Sequence, residues 1–212
     1  DTIDLLNMPY RQVARIKVDT KNESFTLTEK DILQGSLTID RYSVSGSKIE
    51  IGSACAAELD MKLKNDDGRF DDTVFEGAEL FVEIGVKKWD AKNWEKAVVH
   101  WIPCGYFIID TPPRALSTIS ISALDRMVLF SRDVEGSKLT FPMTVEELIN
   151  KCCTICAVTC ASNLTALPNR NYQIKSFPTS NDTLTYRQLI AWAAELTGTC
   201  AFMNEDGQLV LK

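Results

Sequence analysis

The sequence lacks features that would each indicate a particular class of protein. No apolar run approaches the roughly 20 residues that a helix needs to span a bilayer. Lys and Arg number 23 against 29 Asp and Glu, which gives a net charge of −6 and a pI near 4.9. A general nucleic-acid binder needs a basic surface to neutralise phosphates. We therefore expect no membrane span and no specific binding of DNA.

Histidine is almost absent, and this limits the catalytic chemistry. His100 is the only histidine, so a Ser-His-Asp or Cys-His arrangement would have to use it. It stands in an apolar strand pattern, where we expect it on the solvent face. Paired carboxylates in a cleft, a zinc site and an activated thiol are the other usual hydrolase centres, and no motif for them is visible. The sequence predicts a protein that is not an enzyme, with no catalytic residue and no cofactor.

The chain has seven cysteines but no sign of a disulfide framework. The number is odd, and the first residues show none of the sections of a signal peptide. Cys152, Cys153, Cys156 and Cys160 resemble a ligand cluster, and metal or redox chemistry is the alternative reading. Their spacing is not that of paired zinc ligands, and Cys152 and Cys156 share a helical face with Leu148. We predict buried packing, without a stoichiometric metal.

Hydrophobic residues make up 45% of the 212 residues, enough to form the core of one large or two small domains. Up to about residue 133 the apolar residues alternate, as at Leu59, Met61 and Leu63, which is typical of half-buried strands. Short strands and turns in this order predict an all-β, barrel-like domain over residues 1–133. The polar segment 131–138 is the predicted boundary.

Beyond residue 138 the period changes from 2 to 3.6, which predicts a second, α/β domain over residues 139–212. Thr144 and Glu147 form one capping box, and Thr185 and Gln188 form another, so a helix should begin after each threonine. Gly198 is placed to end the second helix. Thr-Cys-Ala follows each predicted helix, and the copies lie about 40 residues apart, which suggests two helix-turn-strand units. The overall class is α+β.

Two loops of the first domain are rich in charge. Residues 65–72, NDDGRFDD, read as an acidic turn; the alternative, a calcium loop, lacks the order of ligands of an EF-hand. Trp89 and Trp94 stand among lysines in a segment that we interpret as a hairpin tip. Exposed tryptophans among cations are a candidate partner or sugar contact, and the alternative is that the rings cover the end of the barrel.

Three longer stretches carry a family resemblance: residues 58–84, 105–127 and 184–202. The amino-acid sequences of these stretches resemble those of tail hub or tail tip proteins encoded in prophages of Gram-positive bacteria, within the baseplate hub family of tailed phages. The resemblance extends from about residue 33 to the end of the chain. These stretches belong to the scaffold of the family and contain no catalytic signature.

The resemblance implies a structural subunit of the virion tail that is assembled in the host cytoplasm. It implies a homotrimeric ring that joins the tail tube to the distal spike or fibre proteins and encloses a channel through which DNA passes without specific binding. It also implies a chain that continues beyond Lys212 into another β domain, so we expect weaker association at the present length. The alternative is a host cell-surface module that binds carbohydrate or protein through Trp89 and Trp94.

Overall fold

A computed structural model describes residues 10–41, 51–88, 98–110, 117–135, 138–176 and 183–212 of the chain. These residues form strands and a few helices, so the predicted α+β class is confirmed. The chain divides into two compact units: unit 1 is Asp1–Ile39 with Leu59–Ala123, and unit 2 is Asp40–Glu58 with Leu124–Lys212. Compact units of contacts are not the same as independently folding domains. The predicted domains, 1–133 and 139–212, therefore stay a prediction.

Most of unit 1 is one sheet. Among the described residues it has seven strands in the order β2-β1-β5-β6-β7-β4-β3. Their bounds are β1 Tyr10–Asp19, β2 Ser24–Thr28, β3 Thr38–Asp40, β4 Glu58–Lys64, β5 Glu79–Lys88, β6 Val99–Ile109 and β7 Thr118–Asp125. Within these bounds β2 and β3 are the edges of the sheet. The predicted barrel is thus seen as an antiparallel sheet, without a demonstrated closure.

Alternation along the strands places the core of unit 1 on one face of the sheet. In β4 the residues Leu59, Met61 and Leu63 are buried while the intervening ones are exposed, which confirms the predicted strand. The chain after β2 returns to β4: Leu33 N–H donates to the Lys62 carbonyl at 2.8 Å, and Lys64 N–H donates to the Asp31 carbonyl at 2.8 Å. These bonds hold the connection against the sheet.

Residues 65–72 form a turn, as predicted. The Asn65 side chain donates to Asp71 Oδ1 at 2.7 Å and accepts from the Phe70 N–H at 3.0 Å. Gly68 has a φ of 70°, which a residue with a side chain rarely adopts. The Phe70 ring lies 5.9 Å from each of the rings of Phe25 and Phe75. Phe70 therefore joins this acidic turn to an aromatic cluster that includes Phe25 of β2.

An ion pair ties the same turn to the end of β2. Arg69 Nη2 lies 2.5 Å from Asp31 Oδ1, and the Arg69 guanidinium lies over the Phe70 ring at 4.5 Å. Burial of Asp31 opposes its ionisation. Hydrogen bonds from Thr28 and Arg69 outweigh that effect and hold the pKa of Asp31 below its ordinary value. Asp31 is therefore a charged anchor of the turn at neutral pH.

Unit 2 contains two α-helices and short strands. The helices are α1, Val145–Cys156, and α2, Tyr186–Thr197. The strands are β8 Met143–Thr144, β9 Gln173–Ile174, β10 Ala201–Met203 and β11 Leu209–Leu211, and 3-10 helices cover Arg126–Ser131 and Leu164–Ala166. No helix in the described ranges is long and apolar enough to cross a membrane.

Both predicted capping boxes are present. Glu147 N–H donates to Thr144 Oγ1 at 3.2 Å and the Thr144 N–H donates back to Glu147 Oε2 at 2.7 Å. Thr185 and Gln188 make the same two bonds at the start of α2. Gly198 ends α2 in the left-handed conformation, as predicted, whereas α1 uses Ala157 in that position. Local sequence therefore determines where both helices begin.

The two helix-turn-strand units are complete only in the second copy. After α2 the chain enters β10, which pairs with β11, but after α1 the residue Cys160 makes a single parallel bridge to Leu209. Ser162, two residues after Cys160, explains why no longer strand forms after α1. Ser162 Oγ accepts from the Leu211 N–H at 2.7 Å, so a side chain replaces the backbone there and the strand ends.

Candidate interaction surface

The face of the β1-β5-β6 sheet that lies opposite the core carries aromatic and charged side chains. We call it the aromatic face; it is formed by Arg15, Lys17, Phe81, Glu83, Trp101 and Tyr106. The opposite face of the same strands is buried, with Ile16, Val82 and Phe107 at 0% exposure. Residues of the aromatic face are half-buried or exposed. This surface is accordingly amphipathic and not part of the core of unit 1.

A bulge places two aromatic residues of β6 on this face. The register between β5 and β6 shifts between Val82 and Glu83, so that the pairing passes from Gly105 to Pro103 at this point. Strict alternation would put Trp101 and Tyr106 on opposite faces. With the bulge, Trp101 pairs with Gly85, Tyr106 pairs with Phe81, and both rings reach the aromatic face.

Arg15 is held at the centre of the aromatic face by two partners. Its Nη2 and Nε atoms lie 2.6 Å and 2.7 Å from Glu83 Oε2 across the β1-β5 pair. The guanidinium also lies 4.4 Å from the centroid of the Trp101 ring. The Glu83 side chain is only 16% exposed, and that of Arg15 is 42% exposed. The arginine thus presents a preorganised cation to solvent.

Gly85 provides the space for the Trp101 ring. A Cβ atom on Gly85 would lie 2.5 Å from Val99 Cγ1, 2.7 Å from Val13 Cγ2 and 2.9 Å from Trp101 Cε3. Each distance is below normal van der Waals contact, so a side chain at Gly85 would displace its neighbours. Covering a strand glycine with a cross-strand aromatic ring also protects the ladder at that point.

A second aromatic pair continues the surface along the strands. The rings of Phe81 and Tyr106 have centroids 4.7 Å apart and planes at 35°. Beside them, Lys17 Nζ lies 2.8 Å from Asp19 Oδ2. That hydrogen bond raises the pKa of Lys17 and lowers the pKa of Asp19 from their ordinary values. Rigid aromatics flanking a fixed arginine are the residue types enriched in protein interfaces.

The sequence alone predicted other contact residues. Trp89 and Trp94 lie outside the described residues, so their role as partner contacts stays a prediction. On either side of this segment, β5 and β6 pair antiparallel as far as Lys87 and Val99. His100 is exposed on β6, as predicted. Arg15 and Lys17 alternate with apolar residues along β1, and the register and the bulge bring Trp101 to the same face.

The cysteines of α1 are mainly core residues. Cys152 and Cys156 are fully buried and Cys153 is 5% exposed, in agreement with the predicted packing. Burial raises the pKa of Cys152 to about 12. No group of three or more metal-ligating side chains is found among the described residues. The expectation of a metal-free protein stays a prediction.

Cys160 differs from the other thiols of this cluster. It is half-buried, and its interaction with the Cys153 thiol, aided by the Ser162 N–H and opposed by burial, lowers the pKa of Cys160 to about 7. The same contact raises the pKa of Cys153. Among Cys152, Cys153, Cys156 and Cys160, it is therefore Cys160 that has the most thiolate character near neutral pH.

We expect Cys160 to react before Cys152, Cys153 and Cys156 when the native protein is treated with iodoacetamide at pH 7, because alkylation requires the thiolate. Peptide mapping by mass spectrometry gives the order of labelling. Replacing Cys153 by alanine removes the interacting thiol and should slow Cys160 by about tenfold at this pH, as its pKa returns towards the free value of about 8.5. Equal rates at Cys160 in the wild-type protein and in Cys153→Ala would contradict this assignment.

Several solved structures share the fold of this chain. A 43 kDa tail protein of prophage MuSo2 from Shewanella oneidensis is 16% identical, with a TM-score of 0.53 over 93% of this chain and 54% of its own. A prophage tail protein from Listeria monocytogenes is 12% identical, with a TM-score of 0.53 over 93% of this chain and 50% of its own. A chain of the PdpA–VgrG complex from Francisella is 11% identical, with a TM-score of 0.51 over 95% of this chain and 28% of its own.

These matches establish a common fold and no more, because every identity is low. This chain spans about half the length of the prophage tail proteins that it matches. No protein-family model and no curated protein sequence matches it. The chain thus has the fold found in solved phage tail proteins.

Proposed function

We propose that this chain is a structural subunit of a phage or prophage tail, located at the tail hub or tip. The observation that carries the proposal is the fold shared over 93% of the chain with prophage tail proteins from Shewanella oneidensis and Listeria monocytogenes. The hub-like stretches at 58–84, 105–127 and 184–202 support the same role. The proposed role is non-enzymatic, and it uses neither cofactor nor metal.

In this proposal three copies form a ring that joins the tail tube to the distal spike or fibre proteins. Unit 1 would complete a barrel-like wall, and the aromatic face would contact a neighbouring subunit. A fixed arginine with aromatic neighbours suits this task, because little side-chain entropy remains to be lost on association. Trp89 and Trp94 remain proposed contacts with a further partner.

The ring would enclose the channel through which DNA leaves the particle. The net charge of −6 supports a wall that repels DNA and does not bind it. We place the acidic excess on the channel side in the assembled ring. A ring structure with lysines and arginines lining the channel would argue against this arrangement.

A nonsense mutation in the gene tests the proposed function. Lysates of the induced prophage are viewed by electron microscopy, with and without the wild-type gene supplied from a plasmid. We expect tails to be missing or to lack their distal structure in the mutant, and to return on complementation. Normal tails in the mutant would refute a structural role.

The same complementation assay tests the aromatic face. Trp101→Ala removes the ring that holds Arg15, and we expect about tenfold fewer tailed particles, the effect of losing roughly 1.4 kcal/mol at a contact. Val74→Ala is the matched control, since Val74 is 51% exposed and lies outside the aromatic face. Thermal unfolding of purified Trp101→Ala checks that the fold persists. Full complementation by a stably folded Trp101→Ala protein would remove this face from the ring contact.

A further inference from the structure

Unit 2 contains an apolar groove that is separate from the aromatic face. It has a volume of about 380 Å³ and lies between the segment of β9 and helix α2. Buried Leu148, Leu189 and Ala193 line it, and these residues belong to the core of unit 2. Two aromatic residues in its lining are exposed, Tyr172 by 57% and Trp192 by 40%. Exposed aromatic side chains beside an apolar groove are typical of a binding surface.

Among the described residues, no further strand pairs with the outer edge of β9 beside the groove. Met143 pairs with Ile174 and Thr144 with Gln173, and the Val145 N–H donates to the Tyr172 carbonyl at 3.2 Å. Hydrogen-bonded and non-bonded pairs alternate in an antiparallel ladder, so the Thr144–Gln173 pair is the non-bonded one. The Gln173 N–H and C=O therefore point away from β8.

The backbone N–H and C=O of Lys175 also point away from β8. Lys175 falls opposite Pro142 in this register, again at a non-bonded position, and proline has no N–H to offer. No hydrogen bond from the described residues engages the backbone of Gln173 or Lys175. Gln173 and Lys175, with one residue between them, thus present backbone donors and acceptors in the pattern that an added strand requires.

The charge of the groove lining indicates which kind of ligand would fit it. Of the described residues that line the groove, Lys175 alone is charged, in a chain whose net charge is −6. The other lining residues are apolar, aromatic or neutral polar. A complementary ligand has apolar side chains for the floor and a carboxylate near Lys175.

We propose that this groove binds an extended peptide segment of a partner protein by strand addition. The segment pairs with the backbone of Gln173 and Lys175 and inserts alternate aliphatic side chains between Tyr172 and Trp192. A carboxylate of the segment lies beside the Lys175 ammonium group. Main-chain bonds supply the binding mode, and the groove and Lys175 supply the selectivity.

The test uses random twelve-residue peptides displayed on yeast, selected for binding to the purified wild-type chain. We expect enrichment of sequences that alternate aliphatic residues and contain an acidic one. Against the best synthetic peptide, Trp192→Ala should weaken binding by about tenfold or more. Val98→Ala, which alters an exposed apolar residue of unit 1, should leave it unchanged. N-methylation of alternate peptide amides should abolish binding, because it removes the strand donors.

A charge swap distinguishes the groove from general stickiness without disturbing the fold. Lys175→Glu should weaken binding of the acidic peptide, and exchanging its acidic residue for lysine should restore binding to that variant. Failure to enrich any peptide, or enrichment of peptides that bind Trp192→Ala as well as wild type, overturns the proposal. Self-association that Trp192→Ala abolishes would also overturn it, since the occupant would then be a second copy of the chain.

Discussion

Replacing Asp125 by alanine is expected to lower the free energy of unfolding by about 3 kcal/mol. Asp125 is 5% exposed at the end of β7, and each of its carboxylate oxygens accepts one backbone bond. Oδ2 accepts from the Ala57 N–H and Oδ1 from the Met127 N–H, both at 2.9 Å. Alanine leaves both amides buried without a partner, at about 1 to 3 kcal/mol each. Urea unfolding at pH 7 measures the loss.

The control for Asp125 is Asn, which keeps one acceptor oxygen and should lose less stability than alanine. A loss below about 1 kcal/mol for Asp125→Ala would mean that water reaches these amides. The pH dependence is a second check. Burial raises the pKa of Asp125, so the native state binds its proton more tightly than the unfolded chain. The advantage of wild type over Asp125→Ala should therefore be largest below about pH 4 and decrease as the pH rises through the native pKa.

Replacing Gly85 by alanine is expected to lower the free energy of unfolding by about 2 kcal/mol. Overpacking a full interior costs about 1 to 3 kcal/mol, whereas alanine gains only about 0.5 to 1 kcal/mol over glycine in a strand. The clash decides the sign, because the new Cβ would lie 2.5 Å from Val99 Cγ1 and 2.7 Å from Val13 Cγ2. Both neighbours are β-branched and have little freedom to move.

A double mutant separates the clash from other effects of alanine at this position. Val99→Ala removes the atom nearest to the new Cβ, so Gly85→Ala should cost less in that background than in wild type. The difference between the two costs is the coupling energy of the pair. Equal costs in both backgrounds would show that Val99 does not cause the loss, and a Gly85→Ala protein as stable as wild type would show that the neighbours of Gly85 can accommodate a side chain.

Local chemistry made the helices of unit 2 predictable. The Thr144 and Thr185 capping boxes bond to neighbours three residues away, so their geometry is fixed by adjacent sequence. Strand β4 was equally clear, because its alternation is strict. The acidic turn at 65–72 followed from Asn65 and Gly68 for the same reason.

The candidate site was much less predictable, because it depends on pairing between distant segments. Arg15 and Glu83 are in contact because of the β1-β5 register. Trp101 lies on the same face because of a bulge in β6, which no local sequence pattern predicted. A one-residue change in register would send these side chains to the other face. The groove of unit 2 likewise requires β9 and α2 to pack together. The sequence instead predicted Trp89 and Trp94 as contact residues, because these two tryptophans stand among lysines.

Counting the copies of this chain in purified particles is the sharpest test of the proposed role as a structural part of a phage tail. Tails from an induced producer are purified, and quantitative mass spectrometry with isotope-labelled peptides gives the number of copies per particle. Cryo-electron microscopy of the same tails locates them. We expect three copies at the distal end of the tail tube. Absence of the chain from washed particles, with its recovery in the soluble fraction of the lysate, would contradict it.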